Sequence, residues 1–77
     1  MLKELDSIVL TEDVPTHGLK PGDVGTIALV HGDLGYEVEF VSLKGETLAV
    51  VSLTSRQVRP LGDREIAQAR TVEAVAQ

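Results

Sequence analysis

Two glutamates two positions apart on a strand, Glu37 and Glu39, are the first place where residue type and spacing point to chemistry. On a strand they share a face with their carboxylates about 7 Å apart, a separation at which glycosidases also hold an acid and a base. The plainer reading is a solvated strand face, whose acidity discourages edge pairing and offers a patch to a basic partner, and it is the one taken here. His17 and His31, with Glu12, Asp13, Asp23 and Asp33, carry the atom types of a metal site. No spacing of the His-x-x-x-His kind joins them, and both histidines stand beside turns, so neither a metal nor a cofactor is expected. Ser7, Ser42, Ser52, Ser55 and Thr54 offer hydroxyls with no adjacent histidine or glycine elbow. The glycines lack the lysine and hydroxyl spacing of a phosphate loop and read as turn glycines. The chain is therefore expected not to be an enzyme, and Arg56 and Arg59 form at most a small local cationic patch.

Composition narrows the partners. With 77 residues the chain is one domain, and a domain of this size buries only roughly 60% of its unfolded surface, so its stability is modest. It has no cysteine, which removes disulfides, thiol nucleophiles and cysteine zinc sites. No run approaches the roughly 20 apolar residues of a membrane helix, and the opening Met-Leu-Lys-Glu-Leu-Asp lacks a signal peptide's apolar core; a cytoplasmic protein is expected. Twelve acidic against seven basic residues give a net charge of −5, which opposes a phosphate backbone. Tyr36 and Phe40 are the only aromatics, too few for both a core and a base-stacking platform.

These residues must be positioned by strands. Ile8-Val9-Leu10 reads as the first, followed by a loop of about a dozen residues, Thr11 to Asp23, long for so small a domain and the first place to seek binding. His17 and Lys20 lie on it. Pro21 and Gly22 suit the central positions of a type II turn. Gly25, at the mouth of the second strand (Gly25 to His31), marks a close crossing or a bulge. Tyr36 to Val41 alternates, with Tyr36, Val38 and Phe40 on the core face and the two glutamates in solvent. A turn centred on Lys44-Gly45 leads to Thr47–Leu53, which is apolar on both faces and so expected to be covered on both. After a short turn at Thr54–Gln57, Val58-Arg59-Pro60 is a brief last strand. Beyond Leu61-Gly62, Asp63 as cap, Glu65 in the first turn and the absence of glycine and proline predict a helix to Gln77. Ile66, Ala69, Val72 and Ala76 form its narrow stripe, with Val75 nearby. A lone helix of that length is marginal in water, so the stripe is expected to pack on the fourth strand or on a partner.

The run Pro21-Gly22-Asp23-Val24-Gly25-Thr26-Ile27 resembles the corresponding strand opening of SH3-like barrels, including the KOW motif of ribosomal and transcription proteins. Over residues 2–61 the chain also resembles the bacterial family catalogued as domain of unknown function 4926. The likeness rests on Leu5-Asp6-Ser7-Ile8-Val9-Leu10, Gly18 to Ile27, Tyr36-Glu37-Val38-Glu39-Phe40 and Leu53 to Pro60. It implies a stand-alone small barrel of the kind found in bacteria, including cyanobacteria, and it brings no catalytic residues. The expected architecture is all-β: an SH3-like barrel of about five antiparallel strands over residues 1–61, with a C-terminal α-helix in a tail over residues 62–77. The expected function is that of a protein-interaction module whose partner is a basic protein or a second copy of itself. One specific version is an acidic partner that neutralises a basic nuclease, as an antitoxin does. The competing expectation is an RNA- or ribosome-binding protein using Lys20, Arg56 and Arg59. His17, Lys20, Glu37, Glu39, Arg56, Arg59, Ile66, Ala69 and Val72 are the candidate partner-binding residues.

Overall fold

Short, β-branched apolar runs separated by glycine and proline turns leave this chain one economical solution, a meander of antiparallel strands. The structure, a computed structural model, describes residues 2–73. The strands are β1 (Ser7–Leu10), β2 (Val24–Val30), β3 (Tyr36–Val41), β4 (Thr47–Leu53) and β5 (Val58–Pro60). They make one open antiparallel sheet in the order β4-β3-β2-β1-β5, with β4 and β5 at its edges. Helical structure among the described residues is confined to two single 3-10 turns, Pro15–His17 and Gly32–Leu34.

One face of the sheet carries the core: Ile8, Leu10, Ile27, Val38, Phe40, Val51, Leu53 and Val58, joined by Val14 and Leu19 from the long loop. Val14 and Leu19 bond each other's backbones (2.9 and 3.1 Å), so the loop is a pinned miniature hairpin with His17 exposed at its tip. Tyr36, Val38 and Phe40 face the core as expected, Tyr36 only half-buried. Gly25 is required by close approach: a Cβ there would stand 2.6 Å from Val38 Cγ1 and 2.9 Å from Phe40 Cε1. The irregularity of β2 lies further on, between Ile27 and Leu29, and not at Gly25.

Two expectations are corrected. The strand covered on both faces is β1: Ile8 and Leu10 lie in the core, and Val9 on the other face is buried beside the tail residues that follow β5. β4 is an edge, and Val50 on its outer face remains 54% exposed. The C-terminal helix is absent among the described residues: after a single turn at Asp63–Arg64 the chain runs without regular structure to Glu73. The last four positions of the expected helix, with Val75 and Ala76, lie outside the described residues. The reason for the difference lies in the partners these side chains find elsewhere in the fold. Glu65 accepts from the Gly62 amide as a helix opening would, but Arg59 also holds it, and further on Arg70 and Val72 are drawn to Asp23 and to the core. A stripe as narrow and alanine-rich as the predicted one buries too little to offset helix nucleation. Ile66, its largest member, is 92% exposed.

Candidate functional site

Pro21 and Gly22 build the first half of the site. Gly22 has φ of +95° and the Asp23 amide donates to the Lys20 carbonyl at 3.1 Å, the geometry of the expected type II turn. The turn closes a second bond, from the Lys20 amide to Asp23 Oδ2 at 2.8 Å, which fixes the carboxylate before any partner arrives. The Gly22 amide donates to the Leu10 carbonyl and the Asp23 carbonyl accepts from the Leu10 amide, which holds the turn against β1.

The tail supplies the second half. Arg70 Nε donates to Asp23 Oδ1 at 2.9 Å, and its Nη2 donates to Asp23 Oδ2 and, at 3.1 Å, to the Gly18 carbonyl. The guanidinium is thus gripped by both carboxylate oxygens and by the loop backbone, a planar fork that lysine would not reproduce. Partial burial by itself would raise the Asp23 carboxyl, but the Arg70 guanidinium and the Lys20 amide outweigh it and hold the group below the ordinary carboxylate range. Two residues on, Val72 is half-buried against the core, while Thr71 between them is exposed. Val72 lies in a cleft of about 380 Å³ lined by Leu19, Phe40, Leu43 and Leu48. Upstream, Arg59 on β5 and Glu65 form a two-bonded pair (2.8 and 2.6 Å), which together with the Gly62 amide draws the Glu65 carboxyl down to about 2. The tail is therefore a strap fastened at Glu65 and again at Arg70 and Val72.

Of the expected site residues, the structure brings Lys20, Arg59, Ile66 and Ala69 to one groove, beside the outward-facing Val9 of β1. Val72 lies in the adjoining cleft, and Glu39 with Ile66 lines a third depression under the strap. His17 and Arg56 stand apart: the His17 ring lies within hydrogen-bond distance of its neighbour Thr16, and Arg56 sits in the β4–β5 turn with its carbonyl accepting from Thr11. The stripe of Ile66, Ala69 and Val72 does not face the sheet as a unit, since only Val72 is partly buried.

The glutamate face carries its own cluster. Glu37 Oε2 accepts from the Ser52 hydroxyl and lies 2.9 Å from His31 Nε2, and Glu39 accepts from Thr47 Oγ1. Serine, histidine and carboxylate are all present in the first cluster, but in the wrong order for nucleophilic catalysis, which needs the histidine between the other two. Here the carboxylate is central. The Ser52 hydroxyl and then His31 lower the Glu37 pKa, which suits an ionised acceptor and not the acid of an acid-base pair. Among the described residues no three histidine, aspartate or glutamate side chains come together as metal ligands. No helix among them is long and apolar enough to cross a membrane.

From sequence, Glu37 is paired with neither Ser52 nor His31 and Arg70 is not singled out, although the hairpin carries a signal for Ser52. A hairpin centred on Lys44-Gly45 sets Phe40 opposite Ala49 and Glu37 opposite Ser52, as the register shows. Arg70 meets Asp23 across 47 positions of sequence, with no local pattern to announce it. A family model described as Domain of unknown function (DUF4926) matches residues 4–60. It ends where β5 ends, so the strap lies beyond it. None of the curated proteins and none of the solved structures matches the chain.

Proposed function

The chain belongs to the DUF4926 family, and for it we propose a non-catalytic role: a small intracellular interaction module of SH3-like barrel type that binds a basic segment of another protein at Asp23. The observation that carries this reading is the grip on Arg70. A turn-anchored carboxylate and the Gly18 carbonyl form a ready receptor for a guanidinium, and an apolar cleft adjoins it. The net charge of −5 favours encounter with a basic partner. An antitoxin-like role, in which such a partner is a basic nuclease, is the most specific form of the proposal. RNA binding has less support, because Arg59, one of its three expected contacts, is already paired with Glu65.

The test uses the full-length chain carrying Arg70→Ala, which leaves Asp23 open. A labelled arginine-rich peptide and a labelled single-stranded RNA of similar length are titrated at low salt by fluorescence anisotropy. Peptide binding that weakens on adding Asp23→Asn is expected. RNA binding with a steep salt dependence, without peptide binding, overturns the proposal in favour of a nucleic-acid partner.

A further inference from the structure

The strap shows more than a cation site, because its two gripped side chains have a fixed spacing. In an extended chain alternate residues project to the same side. Arg70 and Val72 both reach the sheet in this way, and Thr71 between them is exposed. The guanidinium position is defined by three acceptors, and the second position by the apolar cleft of Leu19, Phe40, Leu43 and Leu48. The open space of about 380 Å³ lies between the sheet and the strap, with Val72 and residues 67–71 forming one wall and Leu43 and Leu48, 80% and 41% exposed, part of the other. Between Glu65 and Arg70 the strap contributes little grip, since residues 66–69 are all exposed. Lifting Arg70 and Val72 therefore frees the cleft while Arg59 and Glu65 keep their pair.

We infer that this cleft recognises an extended protein segment bearing an arginine followed two residues later by an aliphatic side chain, and that Arg70-Thr71-Val72 is its internal, displaceable occupant. The inference rests on the interaction-module reading and names the chemistry of the partner. Because the cleft has spare room beside valine, leucine at the second position binds more tightly and displaces the strap. The strap weakens every external segment by intramolecular competition, since a tethered occupant acts at a high effective concentration.

The probe is a labelled hexapeptide, Gln-Ala-Arg-Thr-Leu-Glu, titrated into the full-length chain and into a full-length double variant, Arg70→Ala with Val72→Ser. The double variant is expected to bind at least about tenfold more tightly than the unaltered chain. Replacing the peptide's arginine or leucine by alanine, or adding Asp23→Asn to the double variant, is expected to weaken binding by about tenfold or more. Should the double variant fold poorly, as read from amide dispersion, the unaltered chain decides: saturating peptide is expected to move the Asp23 and Val72 resonances together, and their staying in place overturns the inference. Equal binding of a peptide with the same composition and shuffled order overturns the spacing and leaves the basic-partner proposal standing. Equal affinity of the unaltered chain and the double variant overturns the internal occupant. Failure of both this peptide and an arginine-rich peptide to bind either protein overturns the inference and the proposal beneath it.

Discussion

The inner face of the sheet and the strap across its outer face are held in opposite ways. Inside, ten mutually packed apolar residues from five strands and a pinned loop share the load, and no polar side chain is buried among them. Outside, a segment of more than ten residues hangs on two arginine-carboxylate pairs and one valine. Removing any core residue disturbs the neighbours packed on it, whereas removing one fastening is expected to loosen only the part of the strap it holds. A domain too small to bury a second layer secures its folded state with one face and has the other available for exchangeable contacts.

The largest effect that would sharpen this contrast is Phe40→Ala. Phe40 is 2% exposed in the core and also walls the strap's cleft, so the substitution is expected to cost about 3–5 kcal/mol in denaturant unfolding. A loss comparable to that of a surface substitution would break the picture of a single shared core. Next comes Gly25→Ala, whose new methyl meets Val38 and Phe40 within 3 Å. Overpacking of this kind costs about 1–3 kcal/mol, and a smaller Val38→Ala partner change is expected to recover part of it.

Third is the strap itself: with Arg70→Ala the unfolding midpoint should shift less than for either core change. Hydrogen-exchange protection and chemical shifts, however, should change at Gly18, Asp23 and Val72 alone. A midpoint shift as large as that of Gly25→Ala would mean that strap and core are one cooperative unit.

Acid is the mildest way to release the strap. Asp23 and Glu65 both have folded-state pKa values below the ordinary range, so their contribution is complete above that range and is lost as pH falls through the depressed values. For Glu65 the window runs from its ordinary 4.5 down to about 2. The Val72 methyl resonances should move as Asp23 is protonated below the ordinary carboxylate range, ahead of the core resonances of Val38. Simultaneous movement would contradict independent fastening. The smallest effect is expected from Arg59→Ala, because the Arg59–Glu65 pair is exposed and screened by water and salt. It should loosen residues near Glu65 and leave the Arg70 grip unchanged.

What could be read without coordinates were features set by near neighbours in sequence. The limits of β3 and β4, the Pro21-Gly22 turn and the brief β5 follow from alternation and turn residues, which act over a few positions. The pairing of Glu37 with Ser52 was implicit in the centre of one hairpin. Two matters depended on the assembled sheet. Whether a doubly apolar strand is covered depends on what the fold lays over its outer face: the tail lies beside Val9 of β1, whereas Val50 of β4 stays open. Whether residues after Gly62 coil into a helix depended on distant rivals for their side chains. Glu65 found Arg59, Arg70 found Asp23 and Val72 found the core, and together these outcompete a short alanine-rich helix that gains little by packing. Local sequence carried the strands because strand and turn preferences are local energies; the strap and its cleft came from contacts between residues up to 52 positions apart, which only the folded sheet brings within reach.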